Sequence, residues 1–164
     1  MLVICKRLSD LRWSELMAVY AEGNEENGAE FFSHLSKNEQ LLQAEQSFYD
    51  YLKRDFFARP EDRYCIWQEQ GRYVAALRLH PYGDGLLLEA LETRPEYRRR
   101  GYAERLIKAV QMEFQPQKLY SHIGHKNAAS IAVHLKCGFV KIADTARYLD
   151  GSVNAYCGTY LYNA

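Results

Sequence analysis

A chain of 164 residues with 48% apolar content is long enough for one domain with a real core, and a single domain over residues 1–164 is expected. Lys plus Arg equals Asp plus Glu at 21 each, so the formal net charge is zero, which argues against a nucleic-acid partner. No run approaches eighteen apolar residues and the first residues lack a signal-peptide pattern, so no membrane association and a cytoplasmic location are expected.

Leu2 to Arg7 reads as a first strand, with Ser9-Asp10 able to cap a helix over Leu11 to Glu22. Gly23-Asn24 should break that helix, and the acidic run Glu25 to Glu30 reads as a loop. A long helix follows from about Asn38 to Phe57, its apolar stripe formed by Leu41, Leu42, Phe48, Tyr51, Leu52 and Phe56. At Tyr64 the period changes from helix to strand. Tyr64 to Gln68 and Tyr73 to Leu79, joined at Glu69-Gln70-Gly71, form a predicted hairpin.

After a turn at Pro81 to Gly85 comes the central stretch. Leu86 to Thr93 is a short apolar run, the mark of a strand covered on both faces, and Pro95 ends it because proline offers no N–H to a ladder. Arg98-Arg99-Arg100-Gly101-Tyr102-Ala103 then opens a helix reaching Phe114, with Ala103, Leu106, Ile107 and Val110 at helical spacing. A glycine at a helix mouth lets backbone approach a ligand, and the free N–H groups of the first turn make a natural seat for a pyrophosphate. Neither the G-x-x-x-x-G-K-[ST] nor the G-x-G-x-x-G spacing occurs.

Lys118 to Ile123 is another strand, and Asn127 to Lys136 a short helix stopped by Gly138. Phe139 to Tyr148 and Val153 to Tyr162 make a closing hairpin around Asp150-Gly151. Cys5, Cys65, Cys137 and Cys157 contain no C-x-x-C pair and read as reduced, mostly buried thiols. His122 and His125, with no cysteine or carboxylate partner nearby, give no metal site.

The segment Arg98-x-x-Gly101-x-Ala103 resembles the coenzyme motif [QR]-x-x-G-x-[GA] of the GNAT N-acetyltransferase family. Asn127 to Phe139 is similar to a second family pattern, N-x-x-[AS]-x-x-[LFV]-Y-x-x-x-G-F, and the element order is similar along essentially the whole chain. The resemblance implies an α/β (α+β) fold with a mixed, mostly antiparallel central sheet flanked by helices. It further implies acetyl-CoA as acyl donor, an amine acceptor, no metal, and a homodimer as one possible state.

By that resemblance the pyrophosphate would sit on Arg99, Arg100, Gly101, Tyr102 and Ala103, beside Arg98, and the pantetheine arm along the backbone at Leu91 and Thr93. Asn127 and Ser130 match family positions near that arm, although Asn127 can equally be a helix N-cap. An alkyl ammonium, with a pKa of about 10.4 in lysine, must lose a proton before it attacks. Glu89 is the candidate base, placed by strand alternation on the face of Leu91 and Thr93; Glu92 is the alternative, and an ion pair with Arg78 the competing role for Glu89. The family supplies a proton to the departing thiolate from a tyrosine whose place is taken here by His134, with Tyr148 and Tyr102 as substitutes. This departure keeps a second reading open, an acyl-CoA-binding sensor or scaffold without catalysis.

Overall fold

The computed structural model describes residues 1–164. Strands β1 (Leu2–Cys5), β2 (Arg63–Glu69), β3 (Arg72–Tyr82), β4 (Gly85–Thr93), β5 (Lys118–Gly124), β6 (Val140–Ala143) and β9 (Cys157–Asn163) form one sheet in the order β1-β2-β3-β4-β5-β9-β6. Every neighbouring pair is antiparallel except β4 and β5. The parallel pair needs a crossover, which α4 (Tyr102–Phe114) supplies. The mixed, mostly antiparallel sheet is the expected architecture.

Alternation along β3 sends successive side chains to two separate cores. Ala75, Leu77 and Leu79 pack with Leu106, Ile107 and Val110 of α4 on one face. Ala76 joins Leu16, Leu52 and Phe56 on the other, and so does Tyr73, because the ladder to β2 slips at Val74 and shifts the alternation by one. That second face is covered by α1 (Trp13–Val19), α2 (Ala21–Phe31) and α3 (Lys37–Tyr51), the last continued by one wide π turn over Leu52–Phe56. The chain is closed by α5 (Ala128–Lys136), begun by Asn127, whose side chain accepts from Ser130 N–H at 3.0 Å.

Two expectations are corrected here. The acidic run Glu25 to Glu30 is helix, not loop, and the helical break falls at Tyr20 instead of Gly23-Asn24. Asn24 and Gly28 turn inward, and a Cβ on Gly28 would lie 2.8 Å from the Gln40 carbonyl oxygen. Small and polar residues therefore mark the close approach of α2 to α3, where breaker rules alone suggest a loop. The closing hairpin is bent: β6 pairs with β9, while its outer part separates as a ribbon of β7 (Ala146–Arg147) and β8 (Val153–Asn154). All four cysteines are free, and Cys5, Cys65 and Cys137 are buried. No helix is long and apolar enough to cross a membrane.

Candidate active site

The site begins where two parallel strands part. β4 and β5 pair at Leu86 with Leu119, Leu87 with Tyr120 and Leu88 with Ser121, and both then run on without meeting. Beyond Leu88 the β5-facing edge of β4 lacks a strand partner, so its backbone groups are available to an extended ligand arm.

A bulge sharpens the opening. Opposite β3, Arg78 faces Glu89 and Ala76 faces Glu92, so both Ala90 and Leu91 stand against the single residue Leu77. Ala90 takes a left-handed φ of 51°, and its carbonyl accepts the Tyr20 hydroxyl at 2.7 Å. The extra residue reverses the alternation: Leu91 packs on the α4 core, whereas Glu89 joins Arg78 and His80 on the opposite face. The placement of Glu89 beside Leu91 and Thr93 is thus corrected. A period-two reading cannot see a bulge.

On the α4 side the opening is a cleft of about 430 Å³. It is lined by Leu91 and Thr93 from β4, Arg98, Arg99, Gly101, Tyr102 and Ala103 from the turn, and Asn127 and Ser130 from α5. Of the residues expected to hold the coenzyme, Arg100 alone is outside this lining, its guanidinium 5.5 Å from the Tyr97 ring. Gly101 has φ 78°, a conformation other residues adopt at a cost, and its carbonyl receives the Arg105 N–H at 3.0 Å. The N–H groups of Tyr102, Ala103 and Glu104 precede that first helical bond and point along the positive end of the dipole. The cleft therefore fits a pyrophosphate-bearing ligand with an extended arm. Arg98 is a brace: its Nε donates to the Thr93 carbonyl at 3.1 Å and its guanidinium pairs with Glu22 and with Glu92, the latter at 3.2 Å.

Across the bulge lies a second cavity of about 600 Å³ between α2, α3 and the sheet, with Arg78 and Ala90 in its wall. Behind it runs a polar chain. Arg78 Nη2 meets Glu89 Oε1 at 3.1 Å, His80 Nε2 stands 3.5 Å from Glu89 Oε2, and Arg59 Nη2 pairs with buried Asp62 at 2.7 Å. Burial pushes the Glu89 carboxyl up, but the neighbouring His80 and the charges of Arg78 and Arg59 outweigh it and hold it below the usual carboxylate range. Glu89 is thus an anion fixed in an ion pair. Glu92 pairs with Arg98 and lines the first cleft.

His134 does not reach the cleft. It is 1% exposed, packs edge-on to Phe139, and places Nδ1 2.8 Å from the Ser130 carbonyl, as a neutral N–H donor would. Burial lowers its pKa more than the Ser130 contact raises it, so the imidazolium wanted of a thiolate acid is disfavoured. Tyr102 lines the cleft at the helix mouth, and Tyr148 lies edge-on to His122.

His122 is a group that the sequence leaves unused. One residue past Leu88 and Ser121, the last paired positions, Glu89 and His122 turn to the same face of adjacent strands. Burial lowers the His122 pKa more than the nearby Glu89 raises it, so the ring is neutral near pH 7. Sequence spacing gives no sign of this, because the residues are 33 positions apart and meet only through β4–β5 pairing.

A family model described as "Acetyltransferase (GNAT) family" matches residues 21–139. The chain belongs to the GNAT acetyltransferase family. Solved structures with the same fold include the PaiA N-acetyltransferase of Thermoplasma acidophilum in complex with coenzyme A, at TM-score 0.65 and 12% identity over 100% of this chain and 99% of that one. The Escherichia coli ribosomal-protein-S18-alanine N-acetyltransferase superposes at 0.59 with 17% identity, over 99% and 94% of the two chains. An N-acetyltransferase from Staphylococcus aureus Mu50 does so at 0.59 with 13% identity, over 99% and 98%. No curated protein matches the chain in sequence. As a GNAT member this protein is an acyl-CoA-dependent acetyltransferase.

Proposed function

We propose that this GNAT domain, spanning residues 1–164, transfers an acetyl group from acetyl-CoA to a primary amine by direct attack. One observation carries the reading: adjacent residues of one strand wall two different cavities, Leu91 the cleft on the α4 side and Ala90 the cavity under α2 and α3. Donor and acceptor can thus meet at the β4 bulge from opposite faces of the sheet.

Acetyl-CoA supplies an activated thioester carbonyl. The amides of Arg99 to Ala103 hold its pyrophosphate, and the unpartnered edge of β4 at Leu91 and Thr93 pairs with the pantetheine arm, with Asn127 and Ser130 beside it. A backbone N–H of the bulge stabilises the oxygen charge that develops as the amine adds. Glu89 draws the ammonium and accepts its proton through water, with neutral His122 on the same face as a relay. No dedicated acid is needed from His134, because a free thiol of pKa about 8.5 leaves as thiolate near neutrality.

The test is release of free thiol from acetyl-CoA over a panel of primary amines. Turnover with at least one amine supports transfer. Tight acetyl-CoA binding with no turnover on any amine would favour the silent sensor or scaffold instead.

A further inference from the structure

The cavity on the acceptor side has a composition that selects among amines. Five aromatic residues, Tyr20, Phe31, Phe32, Phe48 and Tyr51, dominate its walls, with neutral Asn24, Asn27 and Ser47 between them, and its volume of about 600 Å³ suits a ring-bearing molecule. The Tyr20 hydroxyl already donates its proton to the Ala90 carbonyl at 2.7 Å, so Tyr20 offers the cavity mainly its ring and has no free donor. The one charged lining residue is Arg78, itself held by Glu89 at 3.1 Å and by the Tyr51 ring at 4.8 Å.

No carboxylate lines this space. Acidic α2 turns Gly23, Asn24, Asn27 and Phe31 toward it, while Glu25, Glu26 and Glu30 are exposed and Glu22 pairs with Arg98. A single ammonium is served by aromatic faces and by Glu89 behind Arg78. A second positive charge deeper in the molecule would meet rings, the neutral amides of Asn24 and Asn27, and Arg78, with no partner anion.

We infer that the acceptor is a monoamine with a flat apolar body, of the aralkylamine class, and not a polyamine or a lysine-rich peptide. The inference rests on the assignment of this cavity to the acceptor. Calorimetry on the coenzyme A-loaded protein tests it with tryptamine and spermidine as probes. Tryptamine should bind at least tenfold more tightly than spermidine. Phe31→Ala, at an exposed rim position, should weaken tryptamine several-fold with spermidine unmoved. Ser47→Asp places a carboxylate on an exposed lining position of α3 and should shift the preference toward spermidine at least threefold. Spermidine binding as well as tryptamine, or neither binding at millimolar concentration, would overturn the inference. Acetylation is scored separately. Tryptamine bound but never acetylated would uphold the cavity's selectivity and sink the transfer reading, whereas preferred acetylation of spermidine would do the reverse.

Discussion

Replacing Glu89 by glutamine keeps shape and volume and removes one charge, so it isolates what the carboxylate does. Arg78 would be left with the Tyr51 ring at 4.8 Å, the Phe56 ring at 5.8 Å and a neutral amide. Removing one partner of a fully buried pair costs about 3–5 kcal/mol. Here the side chains of Arg78 and Glu89 keep 16% and 25% of their exposure, and the amide oxygen still accepts a hydrogen bond. A loss of about 2–3 kcal/mol is therefore expected, in the range of a charged hydrogen bond. For a domain of this size that is roughly 5–10 °C in Tm. Urea titration at pH 7.5 should show a lower midpoint with an unchanged slope. Because the folded pKa of Glu89 is depressed, its contribution is complete above the unfolded value and disappears as pH falls through the folded one. The two proteins should then converge in stability only once the pH has fallen below that depressed folded value. Turnover should fall about 10²-fold near neutrality, less at alkaline pH where more amine is already neutral, with acetyl-CoA affinity nearly intact. A stability loss under about 0.5 kcal/mol, within surface-substitution scatter, would refute the ion-pair argument. Unchanged turnover would refute the role as proton acceptor.

Other substitutions probe the rest of the site. Gly101→Ala should cost only about 1 kcal/mol of stability, since φ is 78° but no atom lies within 4 Å of the new methyl. Acetyl-CoA affinity, read by calorimetry, should nonetheless fall at least tenfold and vanish for Gly101→Glu; unchanged affinity in both would remove the pyrophosphate seat. His122 and His134 are held neutral by burial, with folded pKa values below the ordinary one, so stability is full above about pH 6.5 and falls as the pH drops through the folded values. His134→Phe should reduce that acid loss while kcat/KM stays within about twofold from pH 6 to 9; a drop of about 10²-fold would restore His134 as the acid. Gly85→Ala would drive a methyl onto the Lys118 carbonyl oxygen where β4 meets β5 and should cost about 1–3 kcal/mol or more by thermal melting. A neutral result would mean that the junction can relax.

Local signals in the chain carried the parts of the protein that local physics controls. The helix over Tyr102–Phe114 follows from apolar spacing, its mouth from Gly101, and the start of α5 from Asn127 as N-cap. Each motif lies within such a local unit, and residues of both line one cleft, with Arg100 outside it. What spacing could not decide was orientation set by neighbours. The bulge at Ala90 is fixed by β3 pairing and the Tyr20 hydroxyl, 70 residues away, and it alone moves Glu89 to the other face. Gly28 reads as a breaker until Gln40 lies against it, and then it is the contact that lets α2 and α3 enclose a cavity. His134 occupies a catalytic position of the pattern, yet packing against Phe139 buries it. His122 gains a place beside Glu89 only through the register of β4 on β5. Sequence determined most of the elements and the glycine-led mouth of α4 through short-range backbone chemistry; tertiary packing decided which face each titratable side chain meets, because that depends on register and close approach between distant segments.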